Sequence, residues 1–257
     1  MADIEINNLS FAYPGGQKVL WDLSMVFSPG QVVSILGPNG CGKTTLLKLV
    51  LGLLTPPKGA VRVLGQKVED LSRQKLARLI SYVPQSSALV FHYKALEMVL
   101  MGRVSRGPWY RYQKEDLDRA RAALARIGLE HLSDRSYIEL SGGERQLVLI
   151  ARALAQQAPF MVMDEPASSL DYGNQFRLLD LVRQLSQEGL SIILTTHHPE
   201  QAIYLEGRAI LIKDGRIKAD GSAKDLVNTN SIAQLYSMPQ GFVQRLGHLG
   251  SMASKTG

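Results

Sequence analysis

The feature that most constrains this chain is a glycine-rich loop with an apolar stretch before it and a helix-like stretch after it. The apolar stretch, Val32–Leu36, is mostly β-branched, which is typical of a buried strand. Residues 45–51 are rich in leucine, which is typical of a helix packed on a sheet. The loop between them has the spacing G-x-x-x-x-G-K-T. A strand, a glycine loop and a helix in this order predict an α/β fold.

The composition of this loop predicts that it binds phosphate. Glycines let the backbone pass close to an anion, and N–H groups in the loop and at the helix start point toward it. We expect Lys43 to contact the β- and γ-phosphates of a nucleotide and the Thr44 hydroxyl to bind Mg²⁺. The residues expected to hold the nucleotide here are Gly37, Pro38, Asn39, Gly40, Cys41, Gly42, Lys43, Thr44 and Thr45.

Charge and cysteine content narrow the class of protein. The chain has 257 residues, enough for one α/β domain, with 29 Lys and Arg against 23 Asp and Glu. A basic balance fits nucleic acid, a membrane surface or a nucleotide, and the scattered placement of the cations favours the nucleotide. Cys41 is the only cysteine, so a disulfide framework is excluded. We expect its thiol to be a small, buried side chain inside the loop.

The sequence shows no targeting or membrane-spanning pattern. Its first residues are acidic and lack a signal-peptide pattern. No apolar run reaches the roughly 20 residues of a membrane-spanning helix. With a single cysteine, these features predict a reducing, cytosolic compartment.

The hydrophobic pattern predicts one domain over residues 1–257 with a helical subdomain inserted in it. Strand-like segments dominate the first 84 residues, and helical spacing replaces them over about 86–139. From about residue 247 the chain is rich in Gly, Ser and Lys and is expected to be frayed. Between these parts we expect strands at 160–163 and 191–195, helices at 144–156 and 173–188, and a hairpin turning at 213–215. In the helix 144–156, the spacing predicts one apolar face that consists of Leu147, Ile150, Ala151 and Leu154.

Polar side chains follow several of the predicted buried strands. Asp164 and Glu165 end one strand, where α/β sheets bind ligands. We expect Asp164 to hold Mg²⁺, directly or through a water, and Glu165 to orient and deprotonate the attacking water. Gln85 ends another strand and could bind the metal or the water, or be an ordinary turn residue. His197 ends a third and is expected to contact the γ-phosphate, whereas the neighbouring His198 is given no role.

A second helix start also has the composition of an anion site. Ser141, Gly142, Gly143 and Glu144 open the predicted helix 144–156, so N–H groups are exposed there. The first loop already serves its own nucleotide. A second site in the same chain therefore suggests a nucleotide held by another copy.

Together these motifs resemble the ATPase subunits of ATP-binding cassette (ABC) transporters, over nearly the whole chain and in the family's order. The resemblance implies that the chain binds ATP and Mg²⁺ and hydrolyses the ATP. The matching elements are Tyr13 with the adenine-stacking aromatic, 37–44 with Walker A, Gln85 with the Q-loop glutamine, LSGGERQ at 140–146 with the signature, 161–165 with Walker B, 168–171 with the D-loop and His197 with the switch histidine.

The resemblance also implies partners and a place in the cell. Two copies are expected to form a head-to-tail dimer with two ATPs between Walker A of one copy and the signature of the other. A multi-span membrane permease is expected to dock in the groove formed by Gln85 and the helical subdomain, at the cytoplasmic face of the membrane. An extracytoplasmic binding protein is an indirect partner, and nucleic acid is not expected.

Two local elements resemble one branch of this family. They are 99–103, with a Gly-Arg pair, and 170–175, and they are similar to subunits that import iron–siderophore, haem or cobalamin. Molybdate or tungstate importers and zinc or manganese importers are the alternatives. The ATPase does not touch the cargo, so its sequence holds no cargo chemistry.

Other classes of protein fit the sequence less well. Non-transport cassette proteins usually carry long coiled coils, zinc-binding cysteines or two cassettes, and none of these patterns is found in the sequence. A plain P-loop kinase or GTPase lacks the LSGGERQ stretch.

Overall fold

The computed structural model describes residues 3–85, 92–105 and 111–239. Two sheets and a set of helices make up these residues. The strands are β1 (Ile4–Ala12), β2 (Lys18–Phe27), β3 (Val32–Leu36), β4 (Lys58–Val63), β5 (Gln66–Lys67), β6 (Ile80–Val83), β7 (Phe160–Asp164), β8 (Ser191–Thr196), β9 (Arg208–Lys213) and β10 (Arg216–Ser222). The helices are α1 (Lys43–Val50), α2 (Arg73–Leu79), α3 (Ala95–Leu100), α4 (Lys114–Arg126), α5 (Gly142–Ala155), α6 (Tyr172–Gln187), α7 (Pro199–Leu205), α8 (Ala223–Leu226) and α9 (Thr229–Leu235).

The larger sheet has six strands in the order β10-β9-β3-β8-β7-β6. All neighbours are parallel except β10, which pairs antiparallel with β9 through the predicted hairpin at 213–215. Every residue of β3, β7 and β8 is buried, because helices cover parallel sheets on both faces. Parallel pairing brings the carboxyl ends of β3, β6, β7 and β8 to one edge of the sheet.

The smaller sheet is antiparallel, in the order β2-β1-β4-β5. Its inner side chains and α1 form one apolar core with a face of the larger sheet, in which Ile4, Phe27, Leu46 and Ile193 are fully or almost fully buried. The antiparallel sheet therefore covers the side of the larger sheet on which the glycine loop begins.

A second apolar core lies under α3, α4, α5 and α6. It includes Met98, Leu124, Leu149 and Leu178 together with Met163 and Leu194 from the larger sheet. The helices α3 and α4 belong to the stretch predicted as a helical subdomain. Residues 86–91 and 106–110 of that stretch, and the tail expected to fray from residue 247, lie outside the described residues.

The helix α5 differs from its prediction in its start and its buried face. It begins at Gly142, two residues earlier than predicted, because Ser141 caps it. The predicted apolar face includes Leu147 and Leu154, yet both are only half-buried, whereas Val148 and Leu149 are buried. The helix lies between α3, α4 and the sheet, so more than one of its faces is covered.

The α/β fold and its antiparallel part are confirmed by this arrangement. In the part of the chain that the structure describes, no helix is long and apolar enough to cross a membrane.

Candidate nucleotide-binding and hydrolysis site

The edge where the parallel strands end gathers the predicted catalytic side chains around Glu165. The Nζ atom of Lys43 lies 3.6 Å from Glu165 Oε1. Gln85 donates from Nε2 to Glu165 Oε2 at 3.3 Å, and His197 Nδ1 lies 3.0 Å from the same oxygen. The carboxylate is mostly shielded from solvent. One carboxylate thus contacts residues that follow three different strands.

The backbone of Glu165 is held in an uncommon conformation. Its φ angle is +45°, in the left-handed region that residues other than glycine seldom adopt. Thr195 stabilises this turn, since its Oγ1 accepts from Glu165 N at 2.9 Å and donates to Asp164 Oδ1 at 2.7 Å. Thr195 is fully buried in β8. The sequence does not predict this role of Thr195, because a polar residue near the end of an apolar strand is its only signal.

The glycine loop packs closely against neighbouring backbone and leaves the start of α1 open to an anion. A Cβ atom on Gly37 would lie 2.2 Å from Ile212 O, and Gly42 has a φ angle of +104°. Lys43 is buried and donates from Nζ to Gly37 O at 2.7 Å and to Pro38 O at 3.2 Å. No side chain caps the start of α1, which leaves its first N–H groups to an anion. These features fit a nucleotide phosphate.

A cavity of about 470 Å³ lies over this loop. Tyr13 stands at its rim, 40% exposed, with its hydroxyl 3.3 Å from Thr45 Oγ1. Of the predicted nucleotide-binding residues, Gly37, Pro38 and Cys41 are not among those that line it. The lining residues are Tyr13, Val19, Asn39, Gly40, Gly42, Lys43, Thr44, Thr45, Gln85 and Glu165.

Cys41 faces the interior of the loop rather than the cavity. Its side chain is buried, and a Cβ atom on Gly37 would lie 2.6 Å from its sulfur. Burial raises the pKa of the Cys41 thiol. The Cys41 thiol is therefore buried, as predicted, and it contributes to the packing of the loop.

The residues predicted to hold Mg²⁺ supply a suitable set of donors. Thr44 lines the cavity with a hydroxyl and Gln85 with an amide. Asp164 is buried and has two carboxylate oxygens, of which Thr195 contacts one. Oxygen ligands of this kind are those that Mg²⁺ prefers, so the residues fit the ion.

The turn after β8 contacts the residue that follows α9, the last described helix. The hydroxyl of Tyr236, just after α9, donates to His197 O at 3.1 Å. Burial, with smaller effects of nearby Cys41 and Glu165, raises the pKa of Tyr236 to about 12. The ring of the neighbouring His198 lies against that of His197, with centroids 4.1 Å apart, and its Nδ1 is 3.1 Å from Glu200 Oε1. No local pattern predicts the role of Tyr236, because its contact spans 39 residues.

The start of α5 lies in a different cavity, of about 620 Å³, that shares no lining residue with the first. Ser141 Oγ accepts from Glu144 N at 3.2 Å, and Ser141 N donates to Glu144 Oε2 at 2.8 Å. This capping box lowers the pKa of Glu144, chiefly through the Ser141 N–H. The structure therefore does not bring Ser141, Gly142 or Gly143 to the loop of their own chain.

Comparison with known proteins agrees with this geometry. Residues 20–168 match the family described as ABC transporter. An uncharacterized ABC transporter ATP-binding protein of Haemophilus influenzae is 41% identical over 234 residues, 91% of this chain and 89% of that protein. A probable iron chelatin transport ATP-binding protein of Helicobacter pylori is 34% identical, covering 92% and 93%. A molybdate import ATP-binding protein of Haemophilus influenzae is 32% identical, covering 92% and 88%.

Solved structures give the same result. A putative metal-chelate type ABC transporter in an inward-facing conformation has a TM-score of 0.81 and 32% identity, over 91% of this chain and 89% of that one. The predicted fold, a P-loop ATPase with an antiparallel part and helical segments, is thereby confirmed. Domains of this kind bind ATP, generally with Mg²⁺, hydrolyse it, act as dimers and pair with membrane components of transporters. This chain belongs to the ATPases of the ABC transporter family.

Proposed function

We propose that this protein is the ATP-hydrolysing subunit of an importer that takes up a metal chelate, such as iron–siderophore, haem or cobalamin, through a separate membrane permease. The observation that carries the proposal is the position of Glu165, with Lys43, Gln85 and His197 around it. A shielded carboxylate among donors beside a phosphate-shaped loop suits the hydrolysis of a nucleotide.

Each of these residues has a separate task. Glu165 accepts the proton of the attacking water. His197 and Gln85 orient the Glu165 carboxylate through their hydrogen bonds. Lys43 binds the β- and γ-phosphates, and Tyr13 at the cavity rim stacks on the adenine. Thr44, Gln85 and Asp164 hold Mg²⁺, which when bound neutralises charge on the phosphates.

The catalytic unit is a head-to-tail dimer of this chain. Ser141, Gly143 and Glu144 line a cavity apart from Lys43. Glycine N–H groups at the start of α5 are suited to the γ-phosphate of an ATP bound to the partner copy. Closure of the dimer on ATP then moves the permease, which docks at Gln85 and the helical subdomain on the cytoplasmic face of the membrane.

The proposed cargo rests on similarity rather than on chemistry in this chain. Relatives named for iron chelatin and for metal chelates support it, and a relative named for molybdate supports the alternative. Zinc or manganese import is a further alternative. The test is reconstitution in vesicles: this chain is purified together with the permease that it binds, and the vesicles contain the matching binding protein. Stimulation of ATPase activity by an iron chelate supports the proposal, and stimulation by molybdate alone contradicts it.

The hydrolytic role is tested by Glu165→Gln. This change keeps the shape of the side chain and removes the base, so turnover falls about 10²–10³-fold while ATP binding persists. The trapped ATP holds two copies together, which gel filtration detects as an ATP-dependent dimer. Glu139→Gln, on a turn outside the cavity, is the matched control. Turnover at the wild-type rate by Glu165→Gln contradicts this role.

A further inference from the structure

A line of polar groups connects the turn after β8 with the segment before α6. Gln175 Nε2 donates to Leu170 O at 3.0 Å, and Gln201 Nε2 donates to Gln175 Oε1 at 3.4 Å. Thr196 Oγ1 donates to Gln201 Oε1 at 2.7 Å and accepts from His198 N at 3.0 Å. Four bonds thus run from one side of His197 to residues 168–171.

The direction of these bonds is fixed at one end. The carbonyl of Leu170 can only accept, so the NH₂ group of Gln175 must face it. The Gln175 oxygen then faces Gln201, whose NH₂ group donates to it. The remaining oxygen of Gln201 accepts from the Thr196 hydroxyl. Each amide uses both its donor and its acceptor, which makes the line a connected network.

Burial shields the inner end of this network from water, whereas Gln175 at its outer end is half-buried. Gln201 and Thr196 are 4% and 2% exposed. A buried amide that loses its partner has no water to replace it, so each bond depends on its neighbours. A shift of Leu170 is therefore passed to Gln201 and to the turn that holds His197.

We propose that Gln175 and Gln201 are positioning residues that couple residues 168–171 to the turn of His197. This inference rests on the proposed function: a Cβ atom on Gly143 would lie 3.3 Å from Leu170 Cδ2, so residues 168–171 adjoin the helix start that the proposed function places at the ATP of the partner chain. His197 contacts Glu165 at 3.0 Å. Arrival of the partner chain at residues 168–171 then adjusts the hydrolytic residues of this chain, so that the two ATP sites act together.

The network is not needed to hold its two helices together. Phe176 of α6 and Tyr204 of α7 pack edge to face with ring centroids 5.4 Å apart. Leu178, Leu179 and Ala202 are buried at the same two helices. Replacing the amides with an apolar side chain of similar size should therefore leave the fold in place.

The experiment compares Gln175→Leu, Gln201→Leu and the double variant in the full-length chain. Each single variant lowers kcat about tenfold, with the KM for ATP and the Tm close to wild type, and lowers the Hill coefficient for ATP toward one. The double variant is no worse than either single one, because the residues act as one connection. Gln187→Leu, exposed on the same helix, retains wild-type kinetics.

A conservative pair at Thr196 keeps the test independent of folding defects in the glutamine variants. Thr196→Ser retains the hydroxyl and should retain kcat and cooperativity, whereas Thr196→Val loses both. Wild-type kinetics in Gln175→Leu and Gln201→Leu would overturn the inference, as would a double variant whose loss is the product of the single losses. An inactive wild-type protein would instead overturn the proposed function, and this inference with it.

Discussion

The two ends of the proposed ATP site are built in different ways. Around Glu165, residues from distant parts of the chain are already in contact, with Lys43 and Gln85 at 3.6 and 3.3 Å. At the start of α5, Ser141 and Glu144 contact each other and line a cavity of their own. One chain thus assembles the hydrolytic half of the proposed site. In its signature half, the side chains of Ser141 and Glu144 bond each other's backbone N–H groups and cap the helix.

The difference follows from the kind of structure that forms each half. Parallel strands bring distant residues to one edge of a sheet, such as Gln85 and His197, which are 112 positions apart. A helix start involves only neighbouring residues, here three positions apart. In the proposed dimer, a second copy of the chain supplies the surface that completes this half.

The largest effect is expected from a substitution in the hydrolytic half of the site. Lys43→Ala removes a buried ammonium beside the loop carbonyls and Glu165. ATPase activity should fall at least about 10²–10³-fold, and nucleotide affinity should fall in the isolated chain. Lys48→Ala, on the same helix outside the cavity, serves as the control in a phosphate-release assay. Activity near that of the control would show that the loop has another use.

An intermediate effect is expected from Thr195→Val, which keeps the shape of a buried side chain and removes its hydroxyl. Asp164 Oδ1 loses a donor and Glu165 N loses an acceptor, at a cost of about 1–3 kcal/mol. We expect kcat to fall about tenfold and Tm to fall by several degrees. Thr195→Ser retains the hydroxyl and should behave as wild type. Equal losses in the two variants would exclude the hydroxyl as the cause.

The smallest effect is expected at the second half. Ser141→Ala removes the cap of α5, at a cost of about 1 kcal/mol, which lowers Tm by about 2–4 °C. In the proposed dimer the signature serves the partner chain, so the affinity of a monomer for ATP should not change. Titration with a fluorescent nucleotide at a protein concentration below dimer formation measures this. An affinity loss as large as that of Lys43→Ala would erase the distinction between the two halves.

The sequence predicted the elements whose signal is local. The loop at 37–44, the strands that precede Gln85 and Glu165, and the helix start at Ser141 each have a short pattern with a physical reason. Thr195 is not predicted, because its partners come from another strand and a threonine near the end of an apolar strand has many equivalents.

Other features depended on packing that no local pattern contains. The wider burial of α5 results from helices and a sheet on several of its sides. The contact of Tyr236 with His197 and the bond between Gln175 and Gln201 depend on how α9, α6 and α7 pack. Long-range packing of this kind places each side chain only after the fold is complete.

The most direct test of the account asks whether the two halves meet between chains. Cysteines at Asn39 and Gly142, in a Cys41→Ser and Glu165→Gln background, place one thiol at each half. Both positions avoid the φ of +79° found at Gly40, and Gly142 has open space around it. Each single cysteine, tested alone, controls for random collision. The account predicts a disulfide-linked dimer that forms with ATP and Mg²⁺ and not with ADP. A crosslink within one chain, or a dimer that forms equally well without ATP, would contradict it.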